Sequence, residues 1–108
     1  MKILFDQGTP VGIRRVLSSH GVKTAREKGW STPLNGELLR VAEEAGFDVL
    51  LTTDTNLKYK QNLQNRKLAI VSLNRNRWSL VSGKLPQIIA AIESAAPGSY
   101  TLVDVALS

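Results

Sequence analysis

The sequence predicts an α/β layered domain built on a mostly parallel sheet. Short apolar runs alternate with longer segments of helical periodicity along the whole chain, the pattern of strand–helix–strand units. Glycine or proline stands at several of the transitions, at Pro10, Gly21, Gly46 and Pro97-Gly98. No repeat, low-complexity tract or linker interrupts the alternation, so residues 1–108 read as one domain, and an apolar content of 43% is enough to bury a core.

The strands are expected at Lys2 to Phe5, Val22 to Ala25, Val49 to Thr53, Leu68 to Leu73 and Tyr100 to Leu107. A first helix starts at Pro10, whose missing N–H costs little in a first turn, runs through Val11, Ile13, Val16 and Leu17, and is stopped by Gly21. The clearest helix follows Thr32-Pro33-Leu34-Asn35-Gly36-Glu37, with Leu38, Leu39, Val41, Ala42 and Ala45 before the stop at Gly46. A last helix covers Leu85 to Ala95, with Ile88, Ile89 and Ile92 on one side. Asn56 to Arg66 is polar and fits neither pattern. A flavodoxin-like strand order 2-1-3-4 is expected, with an antiparallel edge position open to the final strand.

Composition narrows the chemistry. There is no cysteine, which removes disulfides and thiolate zinc sites, and His20 is the only histidine. Catalysis must rest on carboxylates, hydroxyls, amides or bases. Fourteen Lys and Arg against nine Asp and Glu leave a formal charge of +5, which favours an anionic partner. The N-terminus meets Asp6 after three apolar residues, too soon for a signal peptide, and no apolar run is long enough for a bilayer. A soluble, cytoplasmic protein without membrane contact is expected.

Ligands of doubly wound sheets bind beyond the carboxyl ends of the strands. Strand one delivers Asp6 immediately past its end, and strand three delivers Asp54 in the same way. Neighbouring strands lie about 4.8 Å apart, so acids at matched ends can share a divalent cation. The helix before strand three runs opposite to the strands, which brings the turn carrying Glu37 to the same edge. Asp48 begins strand three, roughly 20 Å from Asp54 at about 3.3 Å per residue, and Glu43 and Glu44 lie near the wrong end of their helix. Geometry therefore selects Asp6, Glu37 and Asp54, with Asn56 as a neutral fourth member and Thr52 and Thr53 as orienting hydroxyls. Each acid taken alone has an ordinary structural role, as a turn or helix cap.

The segments MKILFDQGTP, TAREKGW, NGELLRVAEEAGFDVLLTTDTNL and LNRNRW together resemble the small bacterial PIN-like proteins, and through them are similar to the VapC-type toxins of toxin–antitoxin modules. The resemblance covers nearly the full chain. It implies a PIN-like α/β fold and Mg²⁺- or Mn²⁺-dependent ribonuclease activity, with the acidic motif falling on Asp6, Glu37 and Asp54. The chain departs from the pattern at Gly8, where an Asn is expected, and at Asn56, where such nucleases often carry a fourth acid. Under this resemblance Asp6 and Asp54 bind metal directly, Glu37 binds metal or positions water, and Asn56 assists.

A grip on single-stranded RNA is expected from Arg75, Arg77 and Trp78 just after strand four, extended by Lys58, Tyr59 and Lys60: cations meet phosphates and an aromatic ring stacks on an unpaired base. The bland alternative is a solvated basic loop with Trp78 in the core. His20 is expected to cap the first helix, Trp30 to pack under its loop, Asp104 to face outward from the last strand, and Gly8-Thr9-Pro10 to form a turn. Two rivals share the strand-end acids. One is a receiver-like phosphoacceptor domain, weakened by the absence of an acid pair after strand one. The other is a PIN-like interaction module that binds a small antitoxin-like protein, or pairs with itself as a homodimer through the edge strand YTLVDVAL.

Overall fold

A computed structural model describes residues 1–30, 35–55 and 66–106, with the backbone alone for 35 and 36. Five strands form one sheet: β1 (Lys2–Phe5), β2 (Gly21–Thr24), β3 (Val49–Thr52), β4 (Ala69–Leu73) and β5 (Tyr100–Val103), in the order β2-β1-β3-β4-β5. All four pairings are parallel. Helices α1 (Asn35–Glu44), α2 (Trp78–Val81) and α3 (Leu85–Glu93) and a 3-10 helix, Val11–Leu17, connect them.

The alternation of side chains along each strand divides the core in two. Ile3 and Phe5 of β1, with Val49, Leu51, Val71 and Leu73, face Ile13 and Leu17 of the 3-10 helix and Val81, Ile88 and Ile92 of α2 and α3. Leu4, Leu50 and Ile70 face the other way, onto Leu38, Leu39 and Ala42 of α1 and Phe47. The result is a three-layer α/β arrangement. Central β3 and β4 are buried at every position, as strands covered on both faces must be.

Three expectations need correction. The edge strand β5 is parallel, not antiparallel, because α2 and α3 carry the chain back across one face before it re-enters the sheet beside β4. It also stops at Val103, short of Leu107: Asp104 leaves the ladder, and its carboxylate accepts from Asn74 Nδ2 at 2.8 Å and from the Ala106 N–H at 3.0 Å. The first helix is 3-10 rather than α, a short segment in which Gly12 and the β-branched Val11, Ile13 and Val16 lower α propensity.

His20 caps less than expected. Its backbone N–H donates to Leu17 O, but its ring lies 3.1 Å from the Glu93 carboxylate and 3.4 Å from the amino group of Met1. Trp30 packs as expected, edge-on to Phe47 with ring centroids 6.1 Å apart. Among the described residues no helix is long and apolar enough to cross a membrane.

Candidate functional site at the carboxyl edge of the sheet

Strand order reverses between β1 and β3: the chain leaves β1 toward β2 on one side and leaves β3 toward β4 on the other. Asp6 and Asp54 follow those two strands, so they straddle the switch point. Leu51 O accepts the Asp6 N–H at 2.9 Å, which extends the β1–β3 ladder into the loop and fixes the backbone beneath Asp6.

One hydroxyl joins the two acids. Thr52 Oγ1 donates to Asp6 Oδ2 at 2.8 Å and accepts the Asp54 N–H at 3.1 Å. The second Asp6 oxygen accepts the Gln7 N–H at 2.8 Å. Ser72, opposite Thr52 in the β3–β4 register, donates to Asp54 O at 3.1 Å, and Thr9 donates to Leu51 O at 3.0 Å. Among the described residues the buried polar side chains are Thr9, Thr52 and Ser72, and all three serve this edge. Burying a hydroxyl is costly unless it is bonded, so these contacts define the loop geometry strictly.

The Asp6 carboxylate is shifted by burial, by hydrogen bonds and by its acidic neighbour. Burial pushes the Asp6 carboxyl above its usual range, and the charge of Asp54 pushes it further, while the hydrogen bonds from Thr52 and Gln7 pull it back in part. Among the described residues no cation is among the groups that shift it. Most other acids have structural work: Asp48 accepts the Lys2 N–H at 2.8 Å, Glu43 accepts the Lys67 N–H at 3.1 Å, and Glu27 pairs with Arg14 at 3.1 Å.

Glu37 does lie in the first turn of α1, but its exposed carboxylate is held by Arg40, which also binds Glu44 at 3.1 Å. Among the described residues no three acidic or histidine side chains come together as a metal-binding group. The structure thus brings Asp6 and Asp54 together and leaves Glu37 on its own helix. Asn56, Lys58 and Lys60 lie outside the described residues.

Arg75, Arg77 and Trp78 follow β4 at the same edge. Arg75 donates to Asn74 O at 2.7 Å, and Arg77 is exposed at the start of α2. Trp78 is 44% exposed and rests on Gly12, where an added Cβ would lie 2.7, 2.9 and 3.0 Å from three adjacent ring carbons. Such near-equal distances put Gly12 over the ring face rather than beyond its edge. The ring is therefore seated on the 3-10 helix rather than sunk in the core.

A cleft of about 190 Å³ opens between the ends of β1 and β2, lined by Asp6, Gln7, Gly8, Val11, Thr24 and Arg26 among others. A larger cavity of about 780 Å³, bordered by Glu43, Phe47, Asp48 and Lys67, lies at the opposite edge, where the backbone N–H groups of Lys2 and Lys67 take up Asp48 and Glu43. The smaller cleft holds the perturbed acid and is the better candidate. Sequence reasoning missed Arg26, Thr9 and Ser72. Ser72 carried a signal, a lone hydroxyl in the apolar run AIVSL; Arg26 carried none, since its place depends on how β2 pairs with β1. No family model, no curated protein and no solved structure matches this chain.

Proposed function

We propose that the protein is a PIN-like, divalent-metal-dependent ribonuclease acting on single-stranded RNA, with Asp6 and Asp54 as its central carboxylates. The observation that carries this reading is the pair itself: two acids at the ends of adjacent strands at the switch point, tied through one buried hydroxyl, with no cation paired to Asp6 among the described residues.

The donor set fits a lean Mg²⁺ or Mn²⁺ site, in which one or two carboxylates and substrate phosphates complete a shell that keeps several waters. Asp6 and Asp54 would hold the ion. Bound there, it would supply Lewis acidity toward a phosphate oxygen and a lowered pKa for its water, which suits a protein with a single histidine. The chain's own part is to orient Asp6 through Thr52 and the Gln7 N–H and to fix Asp54 through Thr52 and Ser72. Glu37 joins such a site only if Arg40 releases it. Arg75, Arg77 and the face of Trp78 turned away from Gly12 supply phosphate contacts and a stacking surface. In its setting the protein is the toxin of a toxin–antitoxin module, with a small antitoxin-like partner.

The test is labelled single-stranded RNA incubated with Mg²⁺, Mn²⁺ or EDTA, beside an Asp6→Asn/Asp54→Asn variant verified as folded. Cleavage that needs the metal and is lost in the variant is expected; undiminished cleavage by the variant would sink the assignment. A receiver-like phosphoacceptor is the second reading, favoured by the order β2-β1-β3-β4-β5 that such domains share. Against it, Gln7 stands where a second acid belongs, and Asp104 rather than a lysine follows β5. Acid-labile phosphate on Asp54 after treatment with a small phosphodonor would favour it.

A further inference from the structure

The Asp6 cleft has a cationic wall that the carboxylate pair does not explain. Arg26 lines it together with Asp6, is exposed, and makes no side-chain hydrogen bond or ion pair among the described residues. Its backbone, by contrast, is firmly held. The Ala25 N–H donates to Phe5 O at 2.8 Å, which continues the Phe5–Thr24 register, so Ala25 lies beside Asp6 and Arg26 opens the turn one residue beyond.

The turn beyond is closed by a reciprocal pair: Thr24 N–H to Glu27 Oε1 at 2.9 Å and Glu27 N–H to Thr24 Oγ1 at 3.0 Å. Gly29 N–H then donates to Arg26 O at 3.0 Å. Glu27, the nearest acid in sequence, is taken by Arg14 at 3.1 Å and so does not neutralise Arg26. In sheet order the edge reads Arg26 after β2, Asp6 after β1 and Asp54 after β3. A fixed backbone thus places Arg26, whose guanidinium has no ion-pair partner among the described residues, on the wall of the cleft that Asp6 also lines.

We propose that Arg26 binds a phosphodiester of the RNA strand and holds it in the cleft against Asp6. This rests on the carboxylate-site reading above and adds to it the residue that positions the substrate. A guanidinium is suited to the task because its planar fork meets two phosphate oxygens at once and is less strongly hydrated than an ammonium. The role differs from that of Arg75 and Arg77, which lie beyond β4 and steer the strand from the far side of Asp54.

The experiment measures binding, in EDTA, so that it does not depend on cleavage. Fluorescence anisotropy of an end-labelled oligouridylate is followed over a salt series with the wild type, Arg26→Ala, Arg26→Gln and Arg26→Lys, each checked by far-ultraviolet circular dichroism. Loss of one charge-assisted contact predicts about tenfold weaker binding for Arg26→Ala and Arg26→Gln, a salt slope smaller by about 1, and partial recovery with Arg26→Lys. Wild-type affinity in the Ala and Gln variants, or no binding by the wild type, overturns the assignment. The two claims separate cleanly: binding that depends on Arg26 without any metal-dependent cleavage keeps Arg26 and removes the nuclease, whereas normal cleavage and binding by Arg26→Ala do the reverse.

Discussion

Asp6 is held in the native state at a cost. Burial and then the Asp54 charge raise its pKa from 3.8, so between that value and the raised one the folded protein binds more protons than the unfolded chain. Stability contributed by this group therefore falls as pH rises through that window and stays lost above it. Asp6→Asn removes the ionisation while its amide still accepts from the Gln7 N–H and meets Thr52. Thermal melts should show the variant at or above the wild-type Tm at pH 7, with the advantage shrinking toward pH 4. A variant less stable at pH 7 than at pH 4, relative to wild type, would identify Asp6 as a structural cap. A group whose replacement stabilises the fold is what a functional carboxylate looks like thermodynamically.

The secondary elements that were legible in the sequence are those whose pattern is local. β1, β3 and β4 are short apolar runs bounded by polar residues, and α1 and α3 carry apolar residues at helical spacing, so all five are found within a few residues of their predicted bounds. Asp6 and Asp54 were legible for the same reason, since each directly ends a predicted strand. The misplaced features depend on long-range structure: the direction of β5 follows from the helical crossover, and His20 finds Glu93 far along the chain. Arg26 and Ser72 gain their positions from β1–β2 and β3–β4 pairing, and the Arg40 contact that holds Glu37 is a choice of side-chain geometry that spacing alone does not make.

The β4–β5 connection offers a test at this scale. Gly98 has φ +76° and an added Cβ would lie 2.5 Å from the Arg66 carbonyl oxygen, whereas Gly29 has φ +75° with nothing within 4 Å. Gly29→Ala should cost about 1–2 kcal/mol for its left-handed backbone alone, and Gly98→Ala about 1–3 kcal/mol more for the backbone clash. Chemical denaturation of both variants measures the difference; equal losses would mean that the chain before β4 yields freely.

At the scale of the molecule, the sheet sorts charge by edge. The amino edge spends its acids on structure, with Asp48 on the Lys2 N–H and Glu43 on the Lys67 and Leu68 N–H groups. The carboxyl edge gathers Asp6, Asp54, the three buried hydroxyls, Arg26, Arg75, Arg77 and the seated Trp78. With a formal charge of +5 over the chain, the acids form a local negative site on a basic protein, an arrangement in which a polyanion is attracted overall and a cation is drawn to one place.

The most direct measurement is a calorimetric titration of Mn²⁺ into the wild type, Asp6→Asn and Asp54→Asn at neutral pH. A metal site on Asp6 and Asp54 gives a binding event in the wild type that either substitution abolishes or weakens at least tenfold, while Glu37→Gln changes it little. Mn²⁺ binding that survives both aspartate substitutions, or that only Glu37→Gln removes, would contradict it.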